Sequence, residues 1–149
     1  MKSVIPAMLI ILTFSSCHFE EPLRFEKIKN VKLTGLKDGF INLTAEAYFF
    51  NPNNVSGKLK SFDLNVSLDG NSLAHITQNE KNTISKNASF SVPFKATLAM
   101  KDIQKGFLDN IISILSGNKV KLHFEGEIKV RTWGFTQTVP VNYFEEVRF

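Results

Sequence analysis

Between residues 41 and 49 apolar and polar positions alternate, with Ile41, Leu43, Ala45, Ala47 and Phe49 set against Asn42, Thr44, Glu46 and Tyr48. A period of two puts the first set on one face of a strand and leaves the second to water. The same period returns in Phe62, Leu64, Val66 and Leu68, broken by Asp63, Asn65 and Ser67. Asp69-Gly70 follows and supplies the positive φ of a tight hairpin turn, so Leu73 to Thr77 is the expected return strand. Phe90, Val92, Phe94, Ala96 and Leu98 make a third alternation. Pro93 lies inside it and cannot donate to a ladder, which predicts an edge strand or a strand whose missing donor falls at the edge. Val120, Leu122 and Phe124 alternate with Lys121, His123 and Glu125, and Gly126 then predicts a bulge. Ile128 and Val130 lead to a turn at Trp133-Gly134. Residues 135–149 predict a closing strand whose ladder Pro140 interrupts. Phe25 to Leu33 predicts the entry into a first strand.

One segment has a different period. Ile103, Phe107, Ile111 and Leu115 lie about four apart, with Leu108, Ile112 and Ile114 beside them. Asp102 fits an N-cap and Gly117 a C-cap. The spacing predicts one short amphipathic helix that covers an open end of the sheets. About seven strands at short spacing with one inserted helix predict an all-β, immunoglobulin/fibronectin-III-like β-sandwich. No internal repeat and no low-complexity linker divides the chain, so residues 24–149 read as one domain.

Composition agrees with a core of that size. Of the 149 residues 43% are hydrophobic and 14 are Phe. A chain of this length buries roughly two-thirds of its unfolded surface and needs no disulfide or metal staple. The formal charge of +4 is spread along the chain in ones and twos. It forms no basic stripe and no aromatic-basic motif of the kind that binds nucleic acid.

The amino terminus stands apart from the strand pattern. Lys2, an apolar run from Val4 to Phe14, then Ser15 and Ser16 have the order of a secretory signal. The run is shorter than the roughly 20 residues that a spanning helix needs. Residues 1–16 are therefore expected to be a signal peptide, and residues 17–23 a tether. The sole cysteine, Cys17, follows the small pair directly. Phe14-Ser15-Ser16-Cys17 resembles a bacterial lipobox, with Phe14 where leucine is usual. The resemblance implies cleavage before Cys17 and a diacylglycerol on its thiol. It also implies a membrane partner and a Gram-negative cell envelope. His18, where an aspartate would retain such proteins at the inner membrane, implies the outer one. Glu20-Glu21 resembles a surface-export signal only through two residues and fits a solvated tether as well.

The tetrapeptide Asn51-Pro52-Asn53-Asn54 closes the first alternation. Pro52 ends a ladder and biases Asn51 towards extended backbone. The asparagine side chains can bond neighbouring backbone groups as an Asx turn and tolerate left-handed conformations. A structural turn is expected here rather than a ligand contact. The stretch "YFFNPNNVSGKLKSFDLNVSLDGN" resembles the late embryogenesis abundant type 2 family, also called the WHy domain, with Asn51, Pro52 and Asn53 matching its hallmark. "SFSVPFKATLAM" resembles the family's next core strand. "GNKVKLHFEGEIKV" and "GFTQTVPVNYFEEVRF", with Val139-Pro140-Val141, resemble its closing pair. The resemblance implies a non-enzymatic protein associated with tolerance of desiccation and osmotic stress.

No catalytic set stands out. His18 falls in the tether, while His75 and His123 fall on strands outside any HExxH-type pattern. There is no GxSxG elbow, P-loop or CxxC. Glu145 and Glu146 are adjacent, so in a strand they point to opposite faces. No cofactor and no metal are expected. Two other readings remain open: a module binding a lipid or apolar ligand, suggested by the many Phe, and a scaffolding subunit of an envelope complex.

Overall fold

The alternation in the sequence becomes burial in the computed structural model, which describes residues 21–34, 39–79, 81–99, 116–132 and 134–148. In β2 (Phe40–Asn51) each of Ile41, Leu43, Ala45, Ala47 and Phe49 is buried. In β3 (Gly57–Leu68) Phe62, Leu64, Val66 and Leu68 are fully buried. The remaining strands are β1 (Arg24–Thr34), β4 (Asn71–Asn79), β5 (Thr83–Ile84), β6 (Ala88–Ala99), β7 (Val120–Thr132) and β8 (Phe135–Val147). They form two antiparallel sheets, one in the order β1-β2-β6 and the other in the order β4-β3-β7-β8, with β5 also paired to β3.

Aromatic rings join the sheets across one core. Phe62 of β3 stacks on Phe94 of β6 at 5.2 Å, and Phe94 meets Phe124 of β7 edge-on at 6.1 Å. Phe25 of β1 touches Phe49 at 5.5 Å and Tyr143 of β8 at 5.6 Å, which closes the side where β1 and β8 meet. Offset and edge-to-face contacts of this kind add to the burial of the rings themselves.

The β3–β4 hairpin turns at Asp69 and Gly70, with φ of 49° and 81°. Two successive positive φ values are the backbone that this dipeptide was expected to supply. Pro93 lies in β6, an edge strand, as its missing N–H requires.

Three expectations are corrected. Pro140 interrupts nothing: β8 pairs with β7 in continuous register, Glu127 opposite Pro140, because β8 is itself an edge strand. Gly126 marks no bulge, since it stays in register with Leu64 on one side and Val141 on the other. The glycine is there because β3 passes too close for a side chain. A Cβ at 126 would meet the Asp63 carbonyl oxygen and lie 2.8 Å from Leu64 Cα. The ladder of β3 shifts instead between Leu59 and Ser61. Finally, the described residues form eight strands where about seven were expected. The additional strand β5 is two residues long, too short to show a period, and it buries Ile84.

Among the described residues there is no α-helix. The helix expected from Asp102 onward falls on residues 100–115, outside them. Gly117, its expected C-cap, has φ 81°. The signal segment, Cys17, His18 and Trp133 also lie outside the described residues.

Candidate functional site

Asn51 is the last residue of β2, and it is polar yet only 2% exposed. Burial of a carboxamide is costly unless every donor and acceptor is used. Here every one is. Asn51 Nδ2 donates to the carbonyls of Val55 at 3.0 Å and Ser85 at 2.9 Å. Its Oδ1 accepts from the Asn53 backbone N–H at 3.0 Å and from Asn53 Nδ2 at 3.2 Å. The first of these two contacts is an Asx turn across Pro52.

Asn53 extends the corner in two directions. Its Nδ2 donates to the Glu21 carbonyl at 2.7 Å, which holds the start of the described chain against the motif. Its carbonyl accepts the Asn87 N–H at 2.9 Å. Asn87 has φ 47°, and its amide nitrogen, in the orientation that satisfies both ends, donates to the Pro52 carbonyl at 2.9 Å. The corner thus ties together residue 21, the β2–β3 connection and the turn before β6. The Asn51 side chain has no free polar group to offer a ligand.

Ser85 and Asn87 were not singled out from the sequence, and Glu21 only as half of an acidic pair in the tether. Glu21 and Ser85 contribute carbonyls, which any residue carries. Asn87 had a signal, an asparagine opening a strand within a polar run, where a left-handed turn residue is common.

His75 and His123 lie on the solvent side of the larger sheet. His75 Nδ1 is 2.6 Å from Asn65 Oδ1, and its Nε2 is 3.0 Å from Thr77 Oγ1 and 3.5 Å from Asp63 Oδ1. His123 stacks on the half-exposed Phe144 at 4.1 Å and contacts Asn142 Oδ1 at 3.0 Å. Lys121 Nζ lies 4.5 Å from the same Phe144 ring. Among the described residues no three His, Cys, Asp or Glu side chains converge as metal ligands. Glu145 and Glu146 diverge, Glu146 reaching Lys119 at 3.7 Å while Glu145 lies by Tyr143.

On the side of the sandwich away from β1 and β8, edge strands β4 and β6 flank a cleft of about 560 Å³. Its walls mix Leu73, Ile76 and Leu98 with His75, Gln78 and Lys95. Gln78 Oε1 is buried there and has no hydrogen-bond partner among the described residues.

Residues 49–144 match the model of the late embryogenesis abundant protein family, from the last three residues of β2 to near the end of β8. The chain belongs to the late embryogenesis abundant type 2 family. The match takes in the whole Asn51-Pro52-Asn53 corner apart from Glu21. Solved structures share the fold of this family member at low identity. A protein of Arabidopsis thaliana, solved in solution, superposes with a TM-score of 0.68 at 9% identity, over 86% of this chain and 83% of the other. A structure described as a late embryogenesis abundant protein gives 0.58 at 12% identity, over 85% and 71%. A protein from Archaeoglobus fulgidus gives 0.55 at 16% identity, over 85% and 98%. A search of the curated proteins found no match.

Proposed function

We propose that this family member is a non-enzymatic, lipid-anchored protein of the Gram-negative cell envelope, held at the outer membrane through Cys17. Its role is protection against desiccation and osmotic stress. Family membership carries the stress-related part of this reading. The lipobox-like Phe14-Ser15-Ser16-Cys17 supports the anchor. A hydrated, filled sandwich is the physical means: polar side chains on the outer faces pair with one another, as Thr97 Oγ1 does with Asn42 Oδ1 at 2.8 Å. Such a surface keeps its water and separates proteins that would otherwise aggregate as water is withdrawn. The Asn51-Pro52-Asn53 corner is a structural turn in this reading. The strand order, three strands facing four with β5 appended, supports an immunoglobulin/fibronectin-III-like sandwich.

The test is a deletion strain under drying and osmotic stress, paired with drying of a labile enzyme beside the purified protein. Lower survival and retained enzyme activity are expected. Unchanged survival together with no protection of the enzyme would abandon the stress role.

A second reading, a module for a lipid or apolar ligand, draws on the cleft between β4 and β6. The Phe-rich composition no longer favours it, because Phe49, Phe62, Phe94 and Phe124 pack on other rings of the core. Native mass spectrometry of protein extracted from its own membranes decides it: a retained lipid supports the reading, and clean apo protein removes it.

A further inference from the structure

The described chain enters the sandwich at one of its two ends. Leu23 is buried in the core, Arg24 pairs with Phe50, and Glu21 is held by Asn53. Glu21 also receives a 2.7 Å contact from Arg24 Nη2. Four Cα–Cα steps separate Cys17 from Glu21, a reach of at most about 14 Å at full extension. A lipid on Cys17 therefore leaves little freedom to the end that carries the Asn51-Pro52-Asn53 corner.

That same end carries the β7–β8 turn. Thr132 faces Phe135 across it, Gly134 has φ 92°, and Phe135 is 78% exposed. Arg131 and Lys58 are partners in the adjoining ladder and both are exposed. Lys81 and Lys86 lie in the exposed connections on either side of β5. Against these cations stand, among the described residues, Glu21, engaged by Arg24, and Glu26 further along β1. The opposite end holds the Asp69-Gly70 turn, and strands of 12 residues set the two ends about 40 Å apart.

We propose that the corner end is a membrane-docking surface for an anionic lipid bilayer, with Phe135 entering the interface and Lys58, Arg131, Lys81 and Lys86 above the headgroups. An exposed ring among cations is the arrangement that favours an anionic headgroup region. The acyl chains supply the anchoring, and this surface sets the orientation: the sandwich stands upright, with Asp69-Gly70 farthest from the bilayer. The proposal rests on the lipid anchor at Cys17.

The test uses the full protein extracted from its own membranes and reconstituted into bilayers containing phosphatidylglycerol and brominated lipid. Intact mass first reports the acyl groups. Phe135→Cys and, separately, Asn71→Cys then take a fluorescent label, since an acylated Cys17 has no free thiol. Quenching by the bilayer is expected at 135 and lost at 71. Lys58→Glu with Arg131→Glu should reduce quenching at 135, while Lys29→Glu with Lys121→Glu, exposed on β1 and β7 away from the corner end, should leave it unchanged. Acylated protein with equal quenching at 135 and 71, or with quenching stronger at 71, overturns the docking surface and leaves the anchor standing. Protein without acyl mass removes the anchor, and the orientation with it.

Discussion

Asn51 Nδ2 and the Ser85 carbonyl oxygen lie 2.9 Å apart across 34 residues of chain. The contact holds the end of β2 to the turn that opens β6. It is made by an amide whose other donor points at the Val55 carbonyl. The site therefore requires two donors on one side of the side chain and an acceptor on the other, which only a carboxamide of this length provides.

Asn51→Ala should cost about 2–4 kcal/mol, because each buried group left without its partner costs about 1–3 kcal/mol. Asn51→Asp should cost more at neutral pH, despite its nearly identical shape. A carboxylate cannot donate, and it would face two carbonyl oxygens. Chemical denaturation of both variants checks the order. An aspartate variant as stable as the native protein would contradict the donor geometry.

Gly126→Ala should destabilise by about 3 kcal/mol or more, since the added methyl meets the β3 backbone instead of a yielding side chain. Gly70 makes a control of a different kind. Its Cβ would meet nothing within 4 Å, and its φ of 81° is the sole obstacle. Gly70→Ala should therefore cost only about 1 kcal/mol. Denaturant midpoints for the two variants give the comparison.

Thr132→Val should leave stability unchanged or raise it by up to about 1 kcal/mol. Thr132 is 4% exposed, and its Oγ1 has no partner among the described residues. A methyl of similar size removes the cost of an unsatisfied buried hydroxyl. A clear fall in the thermal midpoint would show that the hydroxyl has a partner.

Alkaline pH should weaken the fold through Tyr143. Burial, then the hydrogen bond and negative charge of Glu145, raise its phenol above the ordinary 10.0. A raised folded value means that the native state favours the neutral phenol. The stabilisation is complete below pH 10.0 and is lost as pH rises through the folded value. Thermal midpoints measured from about pH 8 upward should fall beyond pH 10.0, and Tyr143→Phe should make that fall shallower. An identical slope in the variant would remove Tyr143 as a cause.

Much of the fold was legible from local pattern. The inward sets of β2 and β3, the Asp69-Gly70 turn and the edge position of β6 each depend on a period of two or on one backbone preference. The errors share a different cause. Gly126 looked like a break because a glycine in a strand carries no record of its neighbour, and here the reason is the β3 backbone beside it. Pro140 looked like an interruption because a sequence does not say which side of a strand is paired. β5 was missed because two residues have no period. At the corner, Asn51, Pro52 and Asn53 stood out by residue type, whereas Glu21 and Ser85 enter through carbonyls that every residue has.

The sequence by itself determined the residues able to face inward, the turns needing a positive φ, the family, and the single thiol that could take a lipid. These follow from side-chain chemistry and short-range sterics, which act over a few neighbouring residues. Only the tertiary structure decided which strands became neighbours, why Gly126 must lack a side chain, and that Glu21, Asn53 and Phe135 share one end of the sandwich. Those relations join positions from 32 to more than 100 residues apart. They exist only once two sheets have closed on a common core.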